Sequence, residues 1–230
     1  MIEVFSSPAA FITMTCVVYA AAMGLYRKWK VIFFHPLLVS IAVIILILKT
    51  TDVSYEEYSR GGVFITWLLA PAVVALGIPL YREFGRIREQ AGAVILTTVF
   101  GSLVGIISAV VPAILLGSPL EVVVCLAPKS VTVPIAMEIA ARLGGPPPLA
   151  ATIVFLTGFM GAIIGPAFLG LLGVVEKAAF GLAMGFTAHG IGTALAFERG
   201  ETEGAFSSLG LCLNGIATAV FTPLVLRLCM

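Results

Sequence analysis

This sequence has very little charge. Of its 230 residues, 11% are Asp, Glu, Lys or Arg, 60% are hydrophobic, and the net charge is +1. Such a chain offers no basic surface for nucleic acid, and it has too few polar residues to cover a soluble domain. Its uncharged stretches are residues 4–26, 31–48, 61–81, 90–120, 143–175, 178–197 and 204–226.

These uncharged runs predict an all-α integral membrane protein. A helix of about 20 apolar residues crosses the bilayer, so the seven runs predict seven transmembrane helices. The interrupted segment 120–142 adds an eighth segment, either a full span or a re-entrant hairpin. A transmembrane barrel is excluded because the runs are continuous rather than alternating. The first run lacks a basic leader, so we expect this helix to be retained rather than cleaved as a signal peptide. We expect the protein to lie in the inner (plasma) membrane of a bacterium or archaeon.

Further absences limit the chemistry. The four cysteines have no paired spacing, so they indicate neither a disulfide framework nor a zinc site and are expected to be small hydrophobic fillers: Cys16, Cys125, Cys212 and Cys229. The sequence also lacks a G-x-S-x-G elbow, an H-E-x-x-H helix and a phosphate-binding glycine loop. We therefore expect no enzyme, no cofactor and no metal.

The basic residues predict the orientation. They cluster after the first and third runs, as Arg27, Lys28 and Lys30 and as Arg82, Arg86 and Arg88. Both clusters should be cytoplasmic, which places the N-terminus and the acidic loop 51–60 outside.

We predict a single membrane domain, 1–230, with two repeat-like halves. Its parts are an N-terminal helix and basic loop (1–34), a first half (35–117), a central broken helix (118–147) and a second half (148–230). Helix breaks are expected at Pro71 and Pro79 in the first half, and at Gly190 and Gly192 in the second. Corresponding interruptions in two halves are typical of transporter sites. If segment 120–142 is re-entrant, the second half is inverted in the membrane relative to the first half. If the segment spans, both halves have the same orientation.

Three glycine pairs have the spacing of close helix packing, and packing is the role we expect for them: Gly101 and Gly105, Gly161 and Gly165, and Gly181 and Gly185.

The most informative segment is CLAPKSVTVPIAMEIAARLGG, which begins at Cys125. Pro128 and Pro134 break the helix, and Lys129, Ser130 and Thr132 add polar groups that hydrocarbon cannot satisfy. The helix that follows would direct its free N–H groups at the gap, which predicts a binding site for an anion such as a carboxylate.

An alternative is that Lys129 pairs with Glu121 or Glu138, or extends to the membrane interface. Glu138 and Arg142 stand four residues apart, so a mutual ion pair explains them.

The segment TAHGIGT supplies a second candidate site. His189 could bind substrate or carry a proton, because its ordinary pKa is about 6.5. Gly190 and Thr193 are further candidate substrate ligands. The alternative is a histidine satisfied by a neighbouring carbonyl. His35 is a weaker candidate, and Asn214 could either bind substrate or bond between helices.

Three segments carry a family resemblance. The sequences LLAPAVVALGIPLY, CLAPKSVTVPIAMEIAARLGG and TAHGIGTALAFERGETEGAFSSL occur in the order and approximate spacing of the LrgB/CidB (YohK-like) membrane proteins. The chain resembles this family from about His35 to its C-terminus. One departure is Val133, where many relatives have threonine.

The resemblance implies two functions. Bacterial members were named as regulators of murein hydrolase export and autolysis that act with a holin-like partner of the LrgA/CidA type. The related plastid glycolate/glycerate translocator and pyruvate-associated relatives imply transport of a small monocarboxylate or 2-hydroxy acid. A broader similarity to antiporter-type carriers implies broken helices moving as an elevator. We expect transport, because polar groups in broken helices are costly in lipid. The glycine faces either offer a surface for a homodimer or all pack inside one molecule.

Overall fold

The computed structural model describes residues 7–29 and 34–229. The described chain is helical and forms two compact units, one extending to Ala75 and the other starting at Leu76. Five of its helices are long and apolar enough to cross a membrane. The predicted class, an all-α membrane protein, is therefore confirmed.

The first unit contains α1 (Pro8–Trp29), α2 (Pro36–Thr50) and α3 (Tyr55–Ala75). The Phe11 and Tyr58 rings pack edge to face with centroids 5.8 Å apart, and the Tyr58 hydroxyl lies 2.9 Å from Thr15 Oγ1. These contacts fix α3 against α1. In the run 31–48, the described helix is α2, which has 15 residues. The run 61–81 is divided between α3 and the next helix.

The second unit contains eight helices in the described chain. They are α4 (Gly77–Arg82), α5 (Phe84–Glu89), α6 (Ala91–Leu115), α7 (Leu120–Leu126), α8 (Val133–Arg142), α9 (Pro147–Leu171), α10 (Lys177–Arg199) and α11 (Glu201–Cys229). The predicted interruption between Pro71 and Pro79 lies at Leu76, between α3 and α4, whereas both prolines lie inside helices.

Helices α7 and α8 form a re-entrant hairpin, which we call hairpin 1 (Leu120–Arg142). The chain turns at residues 127–132 and returns to its starting point. Cys125 Sγ lies 3.5 Å from the carbonyl oxygen of Pro146, 21 residues later. A Cβ built on Gly145 would lie 3.4 Å from the carbonyl oxygen of Glu121. The segment therefore enters and leaves on one side, so it does not span.

Helix α10 is also a hairpin, which we call hairpin 2. Its backbone is broken at His189, with φ 38° and ψ −127°. The guanidinium carbon of Arg199 lies 4.0 Å from the centroid of the Phe180 ring. These residues would be about 28 Å apart along a straight helix. The arms before and after His189 therefore fold back on each other, although the segment has the length and composition of a spanning helix.

The two hairpins enter from opposite ends of α6. Hairpin 1 follows the end of α6 directly. The foot of hairpin 2 lies beside the segment that precedes α6, where Arg82 forms a 2.8 Å ion pair with Glu201 and Arg86 donates to Thr202. We call this end the basic face. The tips of both hairpins consequently lie inside the second unit.

Glycines bring the helices of hairpin 2, α9 and α11 close together. Cβ atoms on Gly181 and Gly185 would overlap backbone carbonyl oxygens of α11, and a Cβ on Gly165 would lie 2.9 Å from Met184 Sδ. Side chains larger than hydrogen would force these helices apart. The predicted packing role is confirmed for the pairs Gly161 and Gly165 and Gly181 and Gly185. At Gly101 and Gly105 a Cβ would meet other side chains only at ordinary van der Waals distance, 3.5 and 3.8 Å, so close packing is not seen there.

Candidate functional site

The tip of hairpin 1 is the predicted proline-flanked break. Pro128 is buried in the turn, and α8 begins at Val133, immediately after Thr132. Pro134 lies in the first turn of α8, where a missing N–H costs no helical hydrogen bond. Thr132 precedes α8 without capping it through its side chain. The start of α8 therefore keeps backbone N–H groups that can bond to a ligand.

Lys129 extends from this tip to α6. Its Nζ donates to the carbonyl oxygen of Gly105 at 2.9 Å. Within the described residues, no carboxylate lies in ion-pair range of Lys129, and Glu138 pairs with Arg142 at 2.7 Å. The alternative of an ion pair between Lys129 and Glu121 or Glu138 is therefore wrong. An ammonium has three N–H donors, so two remain beyond the bond to Gly105.

Lys129 and Ser130 face a cleft of about 630 Å³. The cleft lies between the tip of hairpin 1, α9 and the first arm of hairpin 2. Thr157 and Thr187 add hydroxyl groups, but the rest of the lining is mostly apolar: Leu156, Met160, Gly161, Ile164, Gly165, Phe168, Leu169 and Ala183. One cationic side chain and a mostly apolar lining suit a small anion with a carbon skeleton.

Asn214 on α11 joins the two hairpins. Its Nδ2 donates to the carbonyl oxygen of Ser130 at 2.8 Å and to that of Phe186 at 3.2 Å. Its Oδ1 accepts from Ser102 at 2.8 Å and from Thr218 at 3.2 Å. An amide side chain offers two donors and two acceptor positions, so protein groups occupy all four. One buried side chain thus holds the tip of hairpin 1 to hairpin 2.

His189 forms the tip of hairpin 2. Its side chain is buried, and Nε2 lies 2.9 Å from the carbonyl oxygen of Val154 on α9, to which it can only donate. Gly158 lies directly beneath the ring, and a Cβ there would overlap it. The alternative, a histidine satisfied by a neighbouring carbonyl, therefore describes its contacts in this structure. These contacts do not test a role of His189 in proton transfer, which stays a prediction.

The other residues predicted near His189 support the turn. Thr193 Oγ1 donates to the His189 carbonyl at 2.8 Å and lies 2.9 Å from Ser207 Oγ. A Cβ on Gly192 would lie 2.6 Å from the carbonyl oxygen of Met184 in the opposite arm. Gly190 is exposed and has open space around it. Gly192 allows the arms to approach, and Thr193 satisfies the broken backbone.

The predicted site residues therefore divide into three groups. Lys129 and Ser130 line the cleft, whereas His189, Thr193 and Asn214 are buried beside it. Thr132 and Gly190 are not among the cleft residues. Sequence reasoning missed Ser102, Gly105, Thr157 and Thr187 as neighbours of the site, although Thr187 belongs to the quoted TAHGIGT segment.

The cysteines and the potential metal-ligating side chains give two further observations. Cys125 is buried in the apolar core around hairpin 1, as expected of a filler, while the other three cysteines are exposed. The described ranges contain no cluster of three or more His, Cys, Asp or Glu side chains that could hold a metal ion.

Comparisons with known proteins identify relatives over nearly the whole length. The sequence matches the model of the LrgB-like family over residues 15–228. It is 37% identical to Uncharacterized protein YwbG of Bacillus subtilis, covering 93% of this chain and 95% of that protein. It is 30% identical to Holin-like protein CidB of Staphylococcus aureus, covering 94% and 95% of the two chains. No solved structure gives a significant match.

Proposed function

The chain belongs to the LrgB-like family, and we propose that it is a carrier of small monocarboxylates or 2-hydroxy acids such as glycolate, glycerate or pyruvate. It is an integral membrane protein of the bacterial type. One observation carries the proposal: two re-entrant hairpins enter from opposite sides, and their tips meet at Asn214 beside Lys129. Broken helices that meet inside the membrane are the usual construction of a transporter site.

The substrate carboxylate binds at the tip of hairpin 1. Lys129 supplies a charge-assisted hydrogen bond from the N–H donors that Gly105 does not use. The Ser130 hydroxyl and the first N–H groups of α8 add neutral bonds, and Thr132 stands where α8 begins. The apolar wall of the cleft receives the carbon skeleton.

Hairpin 2 closes the site from the other side. His189, Gly190 and Thr193 form its tip, and Asn214 bonds to the backbones of both hairpins. Transport requires these contacts to separate, and His189 is the proposed residue through which a proton moves with the substrate. The hairpins move as an elevator relative to the rest of the protein.

Eight membrane segments make up the proposed carrier. Two are the hairpins, and four are the long apolar helices α1, α6, α9 and α11. We propose that α2 and α3, which are not among the five long apolar helices, also cross. Hairpin 1 followed by α9, and hairpin 2 followed by α11, have the same order but opposite directions, as in an inverted repeat. This pairing differs from the predicted halves 35–117 and 148–230, because both hairpins lie after residue 117.

The proposed partners are the bilayer, the carboxylate, a small membrane protein of the LrgA/CidA type and a second copy of the chain in a homodimer. We propose no enzymatic activity and no interaction with nucleic acid.

A second function follows from the relatives' names. The similarity to holin-like proteins favours a regulator of murein hydrolase activity and autolysis, acting through membrane permeability. A pore should let unrelated solutes through without saturation, whereas a carrier should saturate and depend on Lys129.

Uptake into liposomes tests the proposal. Purified protein is reconstituted, and entry of labelled pyruvate, glycolate and glycerate is measured with and without a pH gradient. Protein-free liposomes correct for passage of the undissociated acids. We expect saturable uptake by the wild type and its loss in Lys129→Met, which keeps the side-chain length and removes the charge.

Arg142→Ala is the matched control for Lys129→Met. Arg142 lies on the same hairpin, but it is exposed and paired with Glu138. Uptake should persist in this variant. Equal uptake by Lys129→Met and wild type contradicts the proposed site, and non-saturable leakage of unrelated solutes supports the holin-like function instead.

A further inference from the structure

Two threonine hydroxyls of the cleft use their hydrogens within their own helices. Thr157 Oγ1 donates to the carbonyl oxygen of Ile153 at 2.8 Å, and Thr187 Oγ1 donates to that of Ala183 at 2.7 Å. A carbonyl oxygen has no hydrogen, so the hydroxyl must be the donor in each bond. A hydroxyl whose hydrogen is used in this way keeps its lone pairs. Toward a ligand in the cleft, both threonines therefore act as hydrogen-bond acceptors.

The two threonines come from facing helices. Gly161 lies one turn after Thr157 on the same face of α9. A Cβ built on Gly161 would lie 3.5 Å from the carbonyl oxygen of Thr187, so the first arm of hairpin 2 packs against this face. Both threonines line the cleft there. The cleft therefore has acceptors on two of its walls.

The tip of hairpin 1 lies beside these acceptors. The amide nitrogen of Asn214 bonds to the carbonyl oxygens of both Ser130 and Phe186, and Phe186 immediately precedes Thr187. One nitrogen atom thus joins the backbone next to Lys129 to the backbone next to Thr187. The cationic group and the threonine acceptors consequently belong to one small region of the cleft.

Donors and acceptors have separate places in this region. The spare N–H donors of Lys129 and the first N–H groups of α8 belong to the tip of hairpin 1, where they match the oxygens of a carboxylate. The Ser130 hydroxyl can donate or accept. The acceptors of Thr157 and Thr187 stand in a mostly apolar lining, so a ligand that offers them no hydrogen leaves them without a bond. The site therefore favours a carboxylate that also has a hydrogen-bond donor.

We infer that Thr157 and Thr187 make the cleft select a hydroxyl group over a keto group at the substrate carbon next to the carboxylate. This inference rests on the proposed carrier function and deepens it, because it assigns the residues that distinguish 2-hydroxy acids from 2-oxo acids. The C2 hydroxyl donates its hydrogen to a threonine oxygen, whereas a C2 carbonyl can only accept. One neutral hydrogen bond of ordinary strength corresponds to a preference of about 2- to 10-fold.

Lactate and pyruvate test the inference, because they share a three-carbon skeleton and a carboxylate and differ in the group at C2. At neutral pH, where both acids are ionised, each unlabelled acid competes with uptake of labelled glycolate, glycerate or pyruvate into liposomes, whichever the wild type takes up fastest. The ratio of the two inhibition constants measures the preference. We expect lactate to compete about 2- to 10-fold better than pyruvate. Equal competition, or better competition by pyruvate, would overturn the inference.

A double variant shows whether the threonines cause the preference. Thr157→Val combined with Thr187→Val keeps the side-chain shape and removes both acceptors, so the ratio should fall to about one. Serine at both positions can make the same bonds and should keep the wild-type ratio. A purely structural role would lower the competition of both acids and leave their ratio unchanged. An unchanged ratio in the valine variant therefore counts against the inference.

Thr152→Val is the matched control. Thr152 lies on the same helix and makes the same kind of bond, from Oγ1 to the carbonyl oxygen of Pro148 at 2.9 Å, but it is exposed and does not line the cleft. Its replacement should leave the ratio at the wild-type value. A ratio that falls equally in Thr152→Val would show that the preference does not come from the cleft, and this too would overturn the inference.

The two proposals fail in different ways. If the wild type takes up none of the acids, the carrier function fails, and the selectivity that rests on it fails as well. If the wild type shows saturable uptake that Lys129→Met abolishes but does not distinguish lactate from pyruvate, the carrier function stands and only the selectivity is overturned.

Discussion

Replacing Asn214 with leucine should separate the tips of the two hairpins. The wild-type amide donates to the carbonyl oxygens of Ser130 in hairpin 1 and Phe186 in hairpin 2, and it is almost completely buried. Leucine has a similar volume but cannot donate, so both carbonyl groups lose a partner. The change therefore tests the hydrogen bonds rather than a cavity.

The cost can be derived from the bonds that are lost. Hydrogen bonds between membrane helices contribute about 0.6 kcal/mol each on average and up to about 1.7 kcal/mol. Two bonds to the hairpins therefore give about 1–3 kcal/mol, which corresponds to about 5- to 150-fold in the equilibrium for opening the tips. The effect should concentrate at residues 127–132 and around His189.

Hydrogen exchange measured by mass spectrometry on protein in lipid nanodiscs gives this local opening directly. Amides at both tips should exchange faster in Asn214→Leu, while the middle of α6 keeps its protection. Thr218→Val is the matched control, because it removes one bond to Asn214 Oδ1 and leaves both donors in place. Unchanged exchange at the tips in Asn214→Leu would refute the idea that this side chain holds the hairpins together.

Two further predictions concern the hairpins. In a cysteine-free background, Val175→Cys and Glu201→Cys should react with a membrane-impermeant maleimide added on the same side of the membrane. Ser118→Cys should react from the opposite side. If Val175→Cys and Glu201→Cys react from opposite sides instead, α10 spans the membrane. Gly185→Ala should destabilise the protein by about 1–3 kcal/mol, since its Cβ overlaps the backbone of α11, whereas Gly92→Ala, which has open space, should not. Detergent-titration unfolding of the two alanine variants measures this difference, and equal stability would contradict the packing.

The sequence predicts the break in hairpin 1 because the signals are local. Pro128 and Pro134 remove backbone donors, and Lys129 cannot remain in lipid without a partner, so the residue types alone locate a polar break here. The partner of Lys129 could not be predicted. Gly105 accepts through its backbone carbonyl, a group that every residue has, so no side chain marks the contact.

The path of hairpin 2 was not predictable for a different reason. The uncharged run 178–197 is long enough to span, and a spanning helix and a hairpin can have the same composition. The distinction depends on contacts such as that of Arg199 with Phe180, which join residues far apart in sequence. The glycines beside His189 did indicate a break nearby, although the backbone turns at the histidine itself.

The hydrogen bonds at the two tips identify the group most available to a ligand. A break inside a membrane frees backbone groups that other parts of the protein must satisfy. Asn214 supplies donors to both hairpins, and Thr193 donates to the carbonyl of His189. The donors of these side chains are therefore used by the backbone carbonyls at the breaks. Lys129 differs, because one carbonyl uses one of its three donors and no carboxylate within the described chain balances its charge. The hydrogen-bond donors that remain unused beside the cleft therefore belong to a cation, and an anion is the ligand that matches them.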